Sequence, residues 1–276
     1  LVFIQQRGVR FPLGPPKVMK KIAIIEKIHE DGINLLENHP KFDYEIIEDT
    51  SEKNLIEKLP NFDACTLRVS KLDEKILKHC KKIKVISRHG VGYDNVDLNY
   101  IKKNNISLLI TATANAIAVA EHVLTMFLAL SKNVDTYDKE VRVGNFKSNA
   151  SKIKTFELLN KNILIAGFGR IGRKLISRCL AFDTKVYVYD PYVENKIIKE
   201  YGGIKVNTIN EGLNIADYVS IHMPLNSETK DLIDYSVLKK MKKNAIIVNT
   251  ARGGIINEID LNKALNENLI FGAGLD

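Results

Sequence analysis

Residues 162–190 read NILIAGFGRIGRKLISRCLAFDTKVYVYD, and the order of residue types in them indicates the fold class. A short apolar run leads into the glycine-rich segment 167–172, which is followed by apolar residues at helical spacing and then by an alternating apolar run that ends on Asp190. This order predicts a strand, a tight turn, a helix and a second strand, which together form a parallel βαβ unit. The stretch therefore predicts an α/β fold.

The glycines of GFGRIG each have a separate physical task. Gly167 permits the tight turn, Gly169 lets the backbone approach a pyrophosphate, and Gly172 lets the helix pack closely on the strand. Arg170 and Ile171 begin the helix, whose N-terminal N–H groups can bind phosphate. The segment therefore predicts a dinucleotide-binding turn.

Asp190 lies where the second strand of this unit ends. A carboxylate at this position can accept hydrogen bonds from both hydroxyls of an adenosine ribose. Its negative charge would repel the 2′-phosphate of NADP. Asp190 therefore predicts NAD as the cofactor.

Strand and helix patterns alternate along the rest of the chain. Such alternation predicts parallel sheets covered by helices, here as two Rossmann-like domains with a cleft between them. Residues 19–112 are predicted to form the substrate domain and residues 113–276 the NAD-binding domain. Residues 1–18 are predicted to be a disordered leader. Because FGAGLD ends the chain at the close of a strand pattern, the second domain is predicted to be incomplete.

Residues 115–130 form a helical pattern that is apolar on nearly every side. Such a helix needs cover from more than one direction, so we expect it to pack between two domains or between two subunits. Residues 134–143 are predicted to continue this helix, and His122 on it is predicted to be a core histidine. We therefore expect a homodimer formed through the nucleotide domain.

Composition narrows the class of protein. The chain has a formal net charge of +8, but its lysines are scattered, which favours a solvated surface over a nucleic-acid groove. No long unbroken apolar stretch is present, so no membrane span is predicted. Cys65, Cys80 and Cys179 are too widely spaced for a metal site and predict buried thiols. Together these features predict a cytoplasmic protein without a metal.

Polar segments follow three strand patterns in the second half of the chain. They are His222-Met223-Pro224, residues 249–254 and Asp276. Ligands of open parallel sheets bind beyond the carboxyl ends of the strands. We therefore expect these segments to share a crevice with the glycine-rich turn.

The chain from Lys20 to Asp276 resembles the D-isomer-specific 2-hydroxyacid dehydrogenases, especially their phosphoglycerate dehydrogenase-like and glyoxylate/hydroxypyruvate reductase-like branches. The matching motifs, in chain order, are SRHGVGYDNVD at 87–97, AVAEH at 118–122, GFGRIG at 167–172, YDP at 189–191, HMPL at 222–225, VNTARGG at 248–254 and GAGLD at 272–276. The resemblance implies hydride transfer between NAD(H) and a 2-keto or D-2-hydroxy acid, such as 3-phosphoglycerate or glyoxylate/hydroxypyruvate.

The resemblance also implies roles for particular residues. Arg252 matches the catalytic arginine that holds the substrate carboxylate and carbonyl oxygen, and a guanidinium fork suits that task. Its alternative role is that of a surface arginine after a strand. The implied substrate-binding residues are Arg68, Arg88, His89, Gly90, Val91 and Gly92. Arg68 and Arg88 could meet a phosphate, although Arg88 could equally pair with a surface carboxylate. For His89, a binding role and simple exposure are both open.

The implied cofactor-binding residues follow the strands of the second domain. They are Val91, Gly167, Gly169, Arg170, Ile171, Gly172, Asp190, Pro191, His222, Met223, Pro224, Thr229, Thr250, Ala251, Arg252 and Asp276. The acid–base histidine and its orienting glutamate are implied to lie beyond Asp276, since no histidine follows His222. The chain alone is therefore predicted to be weakly active or inactive.

Two alternative functions remain beside the dehydrogenase. An adenosylhomocysteinase-type enzyme also binds NAD in a similar domain, but it lacks the paired HGVGYDNVD and NTARGG motifs. A non-enzymatic co-repressor-like protein could use the same fold to sense NAD(H). The retained glycine loop at 90–92 and Arg252 argue against that alternative.

Overall fold

The structure is a computed structural model that describes residues 19–276, so the predicted leader lies outside the described residues. The chain divides after Ala114 into two compact units. The sequence placed this junction between residues 112 and 113, and the roles assigned to the two units stay predictions. Each unit contains one parallel sheet, which confirms the predicted α/β class with parallel sheets.

The first unit contains a five-stranded sheet. Its strands are β1 (Lys20–Ile25), β2 (Phe42–Ile47), β3 (Ala64–Leu67), β4 (Val85–Arg88) and β5 (Ser107–Ile110). They lie in the order β2-β1-β3-β4-β5, and every pairing is parallel. The direction of the winding reverses between β1 and β3, so the loops that follow these two strands open a crevice at the carboxyl edge.

Short helices cover the first sheet. They are α1 (Glu30–Glu37), α2 (Glu52–Lys58), α3 (Glu74–Leu77) and α4 (Leu98–Lys103), with a 3₁₀ turn at Leu59–Asn61. The side chains of Ser51, Asp73 and Asp97 each accept an N–H from the first turn of the helix that follows. These caps satisfy backbone donors that the helices leave unpaired, and so they fix where α2, α3 and α4 begin.

The second unit contains a six-stranded sheet. Its strands are β6 (Asn162–Ala166), β7 (Lys185–Tyr189), β8 (Ile204–Lys205), β9 (Tyr218–Ile221), β10 (Ile246–Asn249) and β11 (Gly272–Leu275). Their order is β11-β10-β9-β6-β7-β8, which is the doubly wound order of dinucleotide-binding sheets. The winding reverses between β6 and β9, and a ligand crevice is expected there.

Helices cover both faces of the second sheet. They are α5 (Ala116–Ser131), α6 (Val134–Arg142), α7 (Phe146–Asn149), α8 (Arg170–Leu180), α9 (Asn195–Glu200), α10 (Ile209–Ile215), α11 (Tyr235–Leu238) and α12 (Glu258–Asn266), with a 3₁₀ turn at Ala150–Lys152. One apolar cluster includes Phe127 of α5 and Leu175 of α8, and the other includes Leu213 of α10 and Leu261 of α12. The two clusters hold the sheet rigid and so fix where its strand ends lie.

The prediction that residues 134–143 continue the apolar helix is wrong. Helix α5 ends at Ser131, and Asn133 adopts a left-handed conformation with φ 49°. Its side-chain amide donates to the Lys154 carbonyl at 2.7 Å. Asparagine tolerates this conformation better than most residues, so the chain turns there.

Among residues 19–276, no single helix is long and apolar enough to cross a membrane. Helices α5 and α6 meet the test of length and composition only when they are taken together, and they are bent by 58° at the break between them.

Burial on α5 is also more one-sided than predicted. Its fully covered residues repeat at helical spacing, and the list is Ala116, Ala120, Val123, Phe127 and Ser131. His122 lies on the opposite side and is exposed, so its prediction as a core histidine is wrong. Ile117 is 48% exposed on this helix. The described chain therefore covers one face of α5 and leaves apolar surface on the others.

The last predicted strand is displaced in the structure. The run of residues 269–273 in the sequence predicts a strand, but β11 begins at Gly272 and ends at Leu275. The N–H of Leu269 donates to Ala264 and that of Phe271 to Ala245, so these residues close the turn after α12. Asn268 makes this turn with φ 53°.

The three cysteines confirm the prediction of buried thiols. Cys65, Cys80 and Cys179 are all free and buried. Burial raises the pKa of the Cys80 thiol to about 11 and that of Cys179 to about 12. Burial is also the main cause that raises the pKa of Cys65. These thiols are therefore protonated at neutral pH and poor nucleophiles.

Candidate active site

The glycine-rich turn lies at the reversal point of the second sheet. Gly167 follows β6 with φ 102°, and a Cβ there would lie 2.8 Å from the carbonyl carbon and oxygen of His222, which follows β9. Backbone cannot give way as a flexible side chain can, and the left-handed conformation would itself strain any side chain. Only glycine therefore lets these two strand ends approach each other.

The other glycines of the turn differ in what surrounds them. A Cβ on Gly172 would lie 2.5 Å from the Gly167 carbonyl oxygen, so helix α8 packs directly against the turn. A Cβ on Gly169 would meet nothing within 4 Å. Between the glycines, Phe168 is fully buried and stacks edge-on against Tyr201 at 5.4 Å. The buried ring anchors the turn while Gly169 stays exposed at the N-terminus of α8.

Asp190 follows β7 and holds the same turn in place. One of its carboxylate oxygens accepts the N–H of Phe168 at 2.8 Å, and the other accepts the N–H of Tyr192 at 2.9 Å. An ionised carboxylate can accept about four hydrogen bonds, so each oxygen retains capacity for a ribose hydroxyl. Pro191 is exposed in the loop that begins here.

Residues after β9 approach the turn from its other side. His222 donates its backbone N–H to the Ala166 carbonyl at 2.7 Å, and its ring Nε2 lies 2.7 Å from Ser220 Oγ. Met223 is buried, whereas Pro224 is exposed. Thr229 Oγ1 donates to the Pro224 carbonyl at 2.6 Å, so this hydroxyl closes its own loop.

Residues after β10 form a third segment at this edge. The Asn249 side chain accepts the Ala251 N–H at 3.0 Å and donates to the Arg252 carbonyl at 2.7 Å, which fixes the turn that carries Arg252. The Arg252 guanidinium donates to the Ala251 carbonyl at 2.6 Å. Asp276 follows the neighbouring strand β11 and donates its N–H to the Asn249 carbonyl.

Two buried polar atoms at these strand ends have no hydrogen-bond partner among residues 19–276. They are His222 Nδ1 and Thr250 Oγ1. An unsatisfied buried polar group costs about 1–3 kcal/mol, which a ligand that pairs with it would recover. These atoms fit a dinucleotide bound at this edge. So do the open space at Gly169 and the Asp190 carboxylate, which can still accept hydrogen bonds.

The burial of His222 predicts a specific pH dependence of stability. Burial lowers the pKa of its imidazole from 6.5 to about 4, so the unfolded chain takes up this proton at a higher pH than the folded chain. The free energy of unfolding should therefore fall as the pH drops from about 6.5 to about 4, by about 3 kcal/mol from this group. Urea unfolding of the wild type and of His222→Gln at both pH values measures it. An equal loss of stability in the two proteins would contradict the assignment.

Polar residues also lie at the carboxyl edge of the first sheet, next to β1 and β3, between which the winding reverses. Glu26 follows β1, and one of its oxygens accepts the N–H of Arg68 at 3.0 Å and that of Val69 at 2.7 Å. The Asn95 amide donates to the carbonyls of Arg68 and Ser70 at 3.2 and 2.7 Å. The backbone of residues 68–70 is therefore fixed from both sides, while the side chain of Arg68 is exposed.

The neighbouring loop after β4 carries the other predicted substrate residues. The Arg88 guanidinium donates to the His89 carbonyl, and it lies where a Cβ on Gly90 would be, so Gly90 with φ 148° makes room for it. The Gly90 carbonyl accepts the Thr111 N–H at 3.1 Å. His89 is exposed, and Val91 and Gly92 are half-buried.

The sequence assigns no individual role to three polar residues of these edges. They are Ser220, Asn249 and Glu26, whose partners lie in strand ends or loops. Asn249 lies within the VNTARGG motif, and its position just before the predicted turn was the available signal. Ser220 and Glu26 gave no comparable signal, because their contacts arise only when strands align.

Comparisons with known proteins agree with this architecture. The family model for the D-isomer specific 2-hydroxyacid dehydrogenase NAD binding domain matches residues 124–276. Glyoxylate reductase of Pyrococcus furiosus is 33% identical over 93% of this chain and 78% of its own. D-3-phosphoglycerate dehydrogenase of Methanocaldococcus jannaschii is 34% identical over 94% of this chain and 49% of its own. The chain thus spans about half the length of the curated phosphoglycerate dehydrogenase.

A solved structure of a related enzyme has the same fold as this chain. D-lactate dehydrogenase from Aquifex aeolicus, complexed with NAD and lactic acid, superposes with a TM-score of 0.81 and 29% identity, over 92% of this chain and 76% of that one. The family model covers more than half of the chain, and it describes an NAD-binding domain. The chain therefore belongs to the D-isomer specific 2-hydroxyacid dehydrogenase family, with NAD as the cofactor of its second unit.

Proposed function

We propose that this protein is an oxidoreductase that transfers a hydride between NAD(H) and a 2-keto acid or D-2-hydroxy acid. The observation that carries the proposal is the arrangement of the glycine turn, Asp190 and Arg252, which all follow carboxyl ends of strands in one sheet. Membership of the family supports it.

Residues of the second unit would bind the cofactor and the substrate. NAD, when bound, supplies or accepts the hydride. The N-terminus of α8 would hold its pyrophosphate, and the Asp190 carboxylate would accept hydrogen bonds from its ribose hydroxyls. Arg252 binds the substrate carboxylate and stabilises negative charge on the carbonyl oxygen, because its fork of N–H donors can contact both. The Asn249 side chain keeps the turn of Arg252 fixed.

We further propose that the first unit sets the substrate class. Backbone N–H groups of residues 90–92 would bind a carboxylate. Arg68 and Arg88 add positive groups at the ends of adjacent strands β3 and β4, and His89 adds a hydrogen-bonding side chain. These groups fit a substrate with a second anionic group, such as 3-phosphoglycerate. Glyoxylate or hydroxypyruvate would use the carboxylate contacts alone.

Consumption of NADH by the gene product that carries this chain tests the proposal. We expect turnover with at least one member of a panel of glyoxylate, hydroxypyruvate and phosphohydroxypyruvate. Faster reaction with the phosphorylated acid, lost in Arg68→Ala, would support a role for Arg68 in binding phosphate. A protein that binds NADH but turns over none of these acids would instead support an NAD(H)-sensing, non-enzymatic role.

Asp190 predicts the choice of cofactor. NAD is expected to bind at least about tenfold tighter than NADP, because a carboxylate close to a 2′-phosphate repels it in a partly buried site. Dissociation constants for NADH and NADPH, measured from the change in their fluorescence on binding, check this preference on the reduced forms. Equal affinities would remove Asp190 from its assigned role.

We also propose a homodimer formed through the second unit. Apolar side chains are exposed on α5, α6 and the loop after α6, among them Ile117, Val141 and Val143 at 48%, 59% and 65%. Several large apolar side chains exposed on two successive helices are more than a typical monomer surface carries, which favours a subunit interface there. Sedimentation velocity at micromolar concentration is expected to give the mass of a dimer, and a monomer there would contradict the proposal.

A further inference from the structure

Ser220 and His222 form a hydrogen-bonded pair at the carboxyl edge of the second sheet. Ser220 lies on β9, is fully buried, and places its Oγ 2.7 Å from Nε2 of His222. Among residues 19–276 the other ring nitrogen, Nδ1, is buried without a hydrogen-bond partner. The hydrogen bond between the two side chains is therefore satisfied, whereas Nδ1 of His222 has no partner.

The direction of the satisfied bond follows from a count of donors. If the ring donated from Nε2, the hydroxyl hydrogen of Ser220 would be buried without an acceptor, and Nδ1 would lack a donor as well. If Ser220 donates to Nε2, only the N–H on Nδ1 stays unsatisfied. Unpaired buried groups are costly, so the second arrangement is the more stable one. A histidine's protonated nitrogen is set in this way by the bond that its other nitrogen makes.

The position of His222 in the fold indicates which ligand the unsatisfied N–H on Nδ1 would bind. His222 follows β9 at the point where the winding reverses, and its carbonyl contacts the position of a Cβ on Gly167. On its other side, the register of β9 with β10 pairs Ile221 with Asn249, so Thr250 stands next to His222. Thr250 Oγ1 is the second buried polar atom without a partner in the described chain. Both unsatisfied groups therefore belong to residues that directly follow neighbouring strands, at the edge assigned to the dinucleotide.

We propose that Ser220 is a positioning residue, which holds His222 in the tautomer protonated on Nδ1 so that this N–H donates to an oxygen of the bound dinucleotide. The proposal rests on the proposed function, since it requires NAD(H) at this edge. Ser220 does not touch the cofactor itself. It keeps the donor of His222 oriented before the cofactor arrives, which removes an ordering cost from binding.

Nitrogen NMR of protein labelled at histidine tests the proposal in two states. In the free wild type we expect His222, assigned by its loss in His222→Gln, to show a protonated Nδ1 and an unprotonated Nε2. Addition of NADH should shift the Nδ1 signal. In Ser220→Ala we expect a mixture of tautomers and a dissociation constant for NADH that is about tenfold higher. Ser220→Thr, which keeps the hydroxyl, should restore both.

Ser131→Ala is the matched control. Ser131 is also fully buried, and its hydroxyl bonds Tyr218 OH at 2.8 Å, at the opposite end of β9 from His222. This variant should lose stability without changing the tautomer of His222 or the affinity for NADH. A free wild type protonated on Nε2 would overturn the proposal, even if Ser220→Ala failed to fold. Unchanged NADH affinity in a folded Ser220→Ala would overturn it too. A wild type that binds no NADH would instead reject the proposed function.

Discussion

Gly169→Ala is expected to weaken NADH binding about a hundredfold while leaving the free protein as stable as the wild type. The backbone of Gly169 is extended, with φ −78°, so alanine adopts it without strain. A Cβ there meets no atom within 4 Å in the protein alone. The loss of affinity would therefore come from the space that a pyrophosphate needs. Fluorescence titration with NADH and urea unfolding measure the two quantities.

Two other glycines provide the controls for Gly169→Ala. Gly144 has φ 76° and open space around its Cβ position, outside the strand ends, so Gly144→Ala should cost about 1 kcal/mol of stability without changing NADH affinity. Gly167→Ala should lose both, because its Cβ would collide with the His222 backbone. If Gly169→Ala bound NADH as tightly as the wild type, the turn would not be the phosphate site.

The βαβ unit of the second sheet could be predicted because its information is local. A strand, a glycine turn, a helix and Asp190 lie within residues 162–190, and each step follows from the conformational preferences of neighbouring residues. Asp190 was predicted to bind ribose, and the structure adds a contact that local reasoning missed. Its carboxylate also holds the N–H of Phe168, so the cofactor turn and its acid form one unit.

The missed features depend on residues far apart in the chain. The break after α5 is fixed by Asn133, whose amide reaches the Lys154 carbonyl, and an apolar pattern cannot show such a bond. Glu26 likewise holds Arg68 and Val69 across 42 and 43 positions of sequence. Periodicity reports which face of an element is apolar, whereas these polar contacts depend on how separate elements align. The contacts of Glu26 also fix the loop that carries Arg68.

Arg252→Lys should lower kcat/KM for the preferred 2-keto acid about a thousandfold, while leaving the fold intact and changing NADH affinity far less, since lysine keeps the positive charge. Lysine keeps the positive charge but offers a single point of contact, so it cannot hold a carboxylate and a carbonyl oxygen together. The Asn249 side chain bonds the backbone of this turn, at Ala251 N–H and the Arg252 carbonyl, and so would keep its shape in the variant. Steady-state kinetics of NADH oxidation, with NADH titration alongside, separate catalysis from cofactor binding.

Arg142→Lys is the matched control for the change at Arg252. Arg142 is exposed at the end of α6 and pairs with Asp138 one turn earlier, at 2.6 Å, so lysine should preserve the pair and the activity. The two roles of Arg252 also predict how the loss of kcat/KM divides between kcat and KM. If Arg252 only bound the substrate, KM would rise with kcat unchanged. Because it is assigned to stabilise charge on the carbonyl oxygen as well, kcat itself should fall. A variant with normal kcat would reduce Arg252 to a binding residue.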